Sequence, residues 1–190
     1  MKAVITGLNI AYEEKEERGL LVKTLVPLAF TVGLILFALA AIGLGAIGAG
    51  VGERCGDLAG VIWTGLYWLV LFAGVIVAMA LLYRFGPSRS RARWRWISWG
   101  SALAAIAWLA MSGASTFYVS NFGDYDESYG ALGAAVGFMT WTWLSSMVFL
   151  MGAELNAEIE HQTTRDTTTG APRPLGARGA VMADTVGVST

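Results

Sequence analysis

Charge is what this sequence has least of: Asp, Glu, Lys and Arg make up 14% of its 190 residues, against roughly a quarter in a soluble domain. Four runs, residues 24–52, 58–83, 96–123 and 128–153, contain no charged side chain. That scarcity excludes an ordinary soluble globular fold. Cysteine and histidine are nearly absent too. The single Cys55 excludes an internal disulfide and leaves an intermolecular bridge or a free thiol, of which an unpaired small residue is the plain reading. A soft-ligand metal site needs a cluster of His, Cys and carboxylates. With one His and one Cys far apart in the chain, no catalytic zinc site and no cofactor are expected. Serine elbow, P-loop and dinucleotide fingerprint are missing as well, because the abundant glycines lie in apolar runs rather than between strand and helix.

What is present is apolar length. The uncharged runs hold 29, 26, 28 and 26 residues, and a hydrocarbon core about 30 Å thick needs ~20 helical residues. Hydrophobic residues reach 55% and mean hydropathy is +0.57. Inside a bilayer every backbone polar group must pair within its own segment, so only helices or closed barrels span it. Runs of this length exclude barrel strands of ~10 residues. The fold class predicted is all-α, a polytopic transmembrane helical bundle with four spanning helices. The 13 Lys and Arg alternate along the chain: Lys2, Lys15, Arg18 and Lys23 precede the first run. Arg84, Arg89, Arg91, Arg93 and Arg95 separate the second from the third, and Arg165, Arg173 and Arg178 follow the fourth. Only Arg54 lies in the other two loops. Basic residues in short loops stay on the cytoplasmic side, which predicts cytoplasmic termini in a multi-pass plasma-membrane protein and Cys55 opposite His161. The net charge of −1 says little, because the opposing charges fall in different compartments.

Along the chain, the first apolar stretch is too short and too polar for a signal peptide and lacks a cleavage pattern. It reads alternatively as the cut end of an earlier membrane helix. Residues 9–23 read as a short polar helix with Glu14 and Arg18 paired at i and i+4. Pro27 falls in the first turns of the first span, where its missing N–H does least harm. The far end of that span repeats small residues: Ala41, Gly45 and Ala49, then Gly48 and Gly52, a spacing that serves close helix packing. Trp63, Tyr67 and Trp68, Tyr83, and Trp94, Trp96 and Trp99 stand near the ends of the runs, where aromatic rings prefer the headgroup level. On the fourth run Thr142, Ser145, Ser146, Gly152, Ala153 and Asn156 share a face suited to a neighbouring helix or a hydrated path. Residues 1–161 therefore form a membrane domain. Residues 162–190, rich in Thr, Pro and Gly, read as a disordered cytoplasmic tail.

The arginine loop is interleaved with Trp94 and Trp96, which in a soluble protein would suggest nucleic acid. Between two spans the same charges are demanded by topology. Orientation and contact with anionic lipids at Arg84, Arg89, Arg91, Arg93 and Arg95 are expected, and no nucleic-acid partner. Asp124, Asp126, Glu127 and Ser128 lack the twelve-residue calcium-loop pattern. Glu154 follows 26 uncharged positions and, counted from Gly130, lies near the inner interface, where carboxylates are ordinary. The alternative is a buried carboxylate with a transport role.

Three clusters carry a resemblance. The order Tyr118-Val119-Ser120-Asn121-Phe122-Gly123, Tyr125, Tyr129-Gly130-Ala131-Leu132-Gly133 and Gly152-Ala153-Glu154-Leu155-Asn156-Ala157-Glu158 resembles the bacterial YihY/BrkB inner-membrane family. Asn9, Ala11, Tyr12, Glu14, Glu16 and Arg18, and the Leu82-Tyr83-Arg84-Phe85 to Pro87 stretch, look like the same family. The resemblance implies six membrane helices, of which this chain would begin near the end of the second. It brings an old ribonuclease BN label and a link to virulence, but no well-established catalysis. It implies transport or handling of an envelope lipid or small solute without covalent chemistry. Asn121, Tyr125 and Tyr129 would form the external mouth, and Glu154 and Asn156 the inner one. A membrane scaffold, working as a homo-oligomer or with another membrane protein, is the alternative, and a ribonuclease the weakest reading.

Overall fold

Within the described residues each uncharged run lies in one long helix. The computed structural model describes residues 1–122 and 131–187, with α1 at Lys2–Ala11, α2 at Leu20–Cys55, α3 at Asp57–Phe85, α4 at Trp94–Phe122, α5 at Ala131–His161 and a single turn, α6, at Val181–Asp184. Four of these, α2 to α5, are long and apolar enough to cross a membrane. They are apolar nearly all round, as helices surrounded by lipid must be, and Leu36, Val61, Trp68, Ile106 and Phe138 stand exposed along their flanks. The principal packing runs between chain neighbours, α2 on α3, α3 on α4 and α4 on α5, with α1 and α6 laid against α5. Because successive helices alternate in direction, the start of α2, the end of α3, the start of α4 and the end of α5 gather at one end.

Local chemistry sets these boundaries. Between α2 and α3 the chain reverses on Gly56 alone, at φ +89°, a left-handed conformation that glycine adopts without steric cost. Asp57 and Arg84 then occupy the first and last turns of α3, each on the favourable pole of the helix dipole. Helix α5 runs well past residue 153, since Glu154, Leu155, Ala157 and Glu158 are good helix formers and nothing breaks the chain before Gln162.

Two sequence expectations are corrected. Residues 9–23 are not one polar helix: α1 stops at Ala11, Glu13 takes φ +53°, and helix resumes at Leu20. Tertiary hydrogen bonds outweigh the few tenths of a kcal/mol that an i, i+4 ion pair offers. Asn9 accepts the Ser88 N–H at 2.8 Å and donates to Glu16 at 3.1 Å, and Arg18 donates to the carbonyls of Phe85 and Pro87. Glu14 therefore does not meet Arg18. It accepts the Val181 N–H at 2.8 Å instead.

The segment after His161 is not a disordered extension where the structure describes it. It doubles back over the arginine loop, with Ala92 and Thr168 in an antiparallel bridge. The Arg93 N–H donates to Thr167 and the Thr169 N–H to Arg91. Its centre is Arg178, 4% exposed, whose guanidinium donates to the carbonyls of Ala183 at 2.6 Å, Thr164 at 2.8 Å, and Arg165 and Arg173 at 3.2 Å. A guanidinium donating to four backbone carbonyls orders this strap, together with Met182 and Ala183, which are buried with the core. Gly179 follows at φ +70°, and a Cβ there would lie 2.8 Å from the Ser90 hydroxyl, so the strap passes the loop at a distance that only glycine permits.

A buried polar cluster at the arginine end of the helices

Buried residues gather where α1, α3, α4 and α5 converge. Small residues bring α4 and α5 together. A Cβ added at Gly152 would lie 2.5 Å from the Tyr83 hydroxyl and 2.6 Å from the Ala104 Cβ. At Gly100 it would meet the Gly152 carbonyl and sit 2.5 Å from the Asn156 amide. This contact lets the Asn156 Oδ1 accept the Gly100 N–H at 2.9 Å, an N–H in the second turn of α4. Tyr83, fully buried, donates to the Phe149 carbonyl at 2.8 Å, tying α3 to α5.

One turn beyond Asn156 on the same face stands Glu160, 1% exposed. Arg89, from the loop between α3 and α4, donates to it at 2.5 Å, and both side chains are almost wholly buried. The Thr167 hydroxyl donates to the other carboxylate oxygen, so the C-terminal strap closes the pair from outside. The Arg89 guanidinium also lies over the Tyr12 ring, 4.2 Å from its centre. Burial pushes the Tyr12 phenol well above its ordinary pKa, the Arg89 charge opposing that push only in part. The Arg89 Nε and Nη2 are buried with no hydrogen-bond partner, and the Asn156 side chain is the polar neighbour of the buried Tyr12 hydroxyl. The cluster thus has donors in excess, and such groups are costly to leave unpaired.

The residues expected to form the two mouths divide. Asn156 lies in this cluster, 2% exposed. Glu154, two positions earlier on α5, is exposed on another face, and the two are not brought together. Asn121 belongs to the last turn of α4, its side chain outside the described residues, where Tyr125 and Tyr129 also lie. Among the small residues, Gly45 packs against the Tyr67 hydroxyl and Gly48 lies under the Trp63 indole, whose Nε1 donates to the Leu44 carbonyl at 3.3 Å. Ala41 is partly buried, while Ala49 and Gly52 lie in α2. On the polar face of α5, Ser145 accepts the Trp108 indole N–H at 3.0 Å.

The arginines of the loop are not equivalent. Arg89 is withdrawn from any lipid surface, and Arg93 donates to the Thr168 carbonyl at 2.9 Å. Arg84 stacks on Trp94, 4.2 Å from the ring centre, and Arg91 on Phe85 at 5.2 Å. Sequence reasoning missed Tyr12, Arg89 and Glu160 as cluster members. The available signal was the face Gly152, Ala153, Asn156, which extends by one further turn to Glu160.

Comparison with known proteins agrees with this architecture. The family model described as Virulence factor BrkB matches residues 1–175. A Bacillus subtilis protein named as ribonuclease-like, YfkH, is 28% identical over 163 residues, covering 83% of this chain and 59% of that protein. UPF0761 membrane proteins of Tolumonas auensis and Alkalilimnicola ehrlichii are 31% and 33% identical over 125 and 150 residues. Those matches cover 65% and 72% of this chain but only 40% and 33% of the relatives. The chain thus spans less than two thirds of the length of these relatives. No solved structure matches.

Proposed function

Since the chain belongs to the Virulence factor BrkB family, we propose that it handles an envelope lipid or small solute by non-covalent binding at the arginine end of its helices. The observation that carries this reading is the donor excess around Tyr12. Arg89 offers two buried N–H groups without acceptors beside Tyr12 and Asn156, a setting suited to an oxygen-bearing solute or headgroup entering between helices. Covalent chemistry is disfavoured by the commitment of Arg89 and Glu160 to each other in a buried pair, because hydrolysis needs an acid–base group open to substrate and water. The scaffold alternative is weakened because Gly45 and Gly48 are occupied by Tyr67 and Trp63 of the same chain. In this reading the arginine end faces the cytoplasm of a bacterial inner membrane, with both termini on that side.

Reconstitution into vesicles with a panel of labelled lipids and solutes tests the proposal. Asn156→Ala and Tyr12→Phe should reduce flux at least severalfold while the protein remains helical. Unchanged flux in both, or unchanged flux with alanine at Asn121, Tyr125, Tyr129, Glu154 and Asn156 together, would sink it. RNA cleavage by the purified protein that disappears with a point substitution would establish the ribonuclease instead. Reactivity of cysteines introduced at either terminus toward an impermeant thiol reagent, in intact and in opened cells, decides the orientation.

A further inference from the structure

We propose that Arg84 and Arg91 form a seat for the phosphate of an anionic phospholipid headgroup, at the junction of α3 and α4. This site is separate from the buried cluster and does not depend on the transport reading.

Arg84 stands in the last turn of α3 and reaches across to Trp94, the first residue of α4, its Cζ 4.2 Å from the indole centre. Phe85 has two guanidinium groups on it, Arg84 at 5.5 Å and Arg91 at 5.2 Å. Two cations thus flank one ring, and no carboxylate among the described residues lies within ion-pair distance of either. An aromatic face balances part of a guanidinium charge, but the N–H groups lie in the guanidinium plane and point past the ring edge. The Arg84 Nε and Nη1 are buried without an acceptor.

Two like charges gathered at one ring favour an anion nearby. The ligand chemistry follows from geometry and place. A planar guanidinium fork matches a phosphate or carboxylate. The half-exposed Trp94 marks the headgroup level at the start of a spanning helix, where the abundant oxyanion is a phospholipid phosphate. Arg91 is exposed on the same ring, which leaves it open to a headgroup.

The test uses the intact protein in lipid nanodiscs of phosphatidylcholine with a minor share of phosphatidylglycerol, followed by native mass spectrometry of the released protein. The expected result is retention of phosphatidylglycerol, reduced about tenfold in the double variant Arg84→Gln/Arg91→Gln. Arg91→Gln alone, at an exposed position that folding does not need, should lower it severalfold. Arg95→Gln, which removes the same charge from the same loop, should not. Equal losses in Arg91→Gln and Arg95→Gln would mean diffuse attraction and overturn the site, as would equal retention in all variants. Titration with inorganic phosphate separates the sources: phosphate binding to the wild type with no preference for phosphatidylglycerol overturns the lipid assignment.

Discussion

Arg89 and Arg91 are two positions apart and identical in kind, yet one is sealed against Glu160 and the other lies open over Phe85. No pattern of charge along the chain separates them. The difference is made by Asn156 and Glu160, which small residues on α5 turn inward. A buried ion pair costs little as a pair and much when broken. Arg89→Met or Glu160→Leu alone should each cost about 3–5 kcal/mol, and the double replacement should recover most of it. Thermal unfolding of the four proteins in detergent, read as a double-mutant cycle, checks this. A methyl group at Gly100 has nowhere to go, because its neighbours are the Gly152 carbonyl and the Asn156 amide. Gly100→Ala should therefore lose about 1–3 kcal/mol, whereas Gly113→Ala, on the same helix with open space around it, should lose nothing.

Among elements, the spans were legible and their extensions were not. Uncharged runs locate a bilayer crossing, because burying one charge in hydrocarbon costs several kcal/mol. They do not say where the helix ends, since Leu20 and Glu160 are helical by propensity and contact rather than by lipid. The short polar helix expected at residues 9–23 failed for a related reason. Its Glu14 and Arg18 had better partners far away in the chain, in Val181 and in the carbonyls of Phe85 and Pro87. Between α2 and α3 the small-residue spacing of Gly45 and Gly48 corresponds to contacts with Tyr67 and Trp63. Gly48→Leu should displace the Trp63 ring and lower the unfolding temperature by several degrees. Gly43→Leu, with no neighbour within reach, serves as the control that should not.

For the molecule as a whole, the largest departure from the sequence reading is the C-terminal strap. Composition argues about apolar burial, and residues 163–187 have little to bury beyond Ala180, Met182 and Ala183. Their order comes from hydrogen bonds, which composition does not report. Two carboxylates carry it. Burial raises the pKa of Asp166, but the Thr168 hydroxyl, the N–H groups of Arg173 and Thr168 and the Arg178 charge outweigh that and bring it to about 2. For Asp184 burial is likewise outweighed by the N–H groups of Arg178, Gly179 and Ala180, and its pKa is lowered. A carboxylate with a depressed folded pKa stabilises fully above its unfolded value near ~4, and that contribution is lost as pH falls toward about 2. The strap should therefore hold from neutral pH down to about 4 and loosen below it. Asp166→Asn should bring the same loosening to neutral pH. Tryptic cleavage after Arg178, protected by burial in the wild type, should rise about tenfold in that variant, and hydrogen exchange across residues 163–187 should follow the acid transition.

The bond between Glu14 and the Val181 N–H joins positions 167 residues apart. Chains are made from the N-terminus at ~5–20 residues per second, so Glu14 has emerged and its neighbouring helix has been inserted long before Val181 exists. Glu160 differs, because its Thr167 partner follows only seven residues later. The fastening of α1 to the C-terminal strap consequently waits for Val181 to be made. A product that ends before Val181 would lack the N–H that Glu14 accepts, and its first segment would be unfastened from the strap.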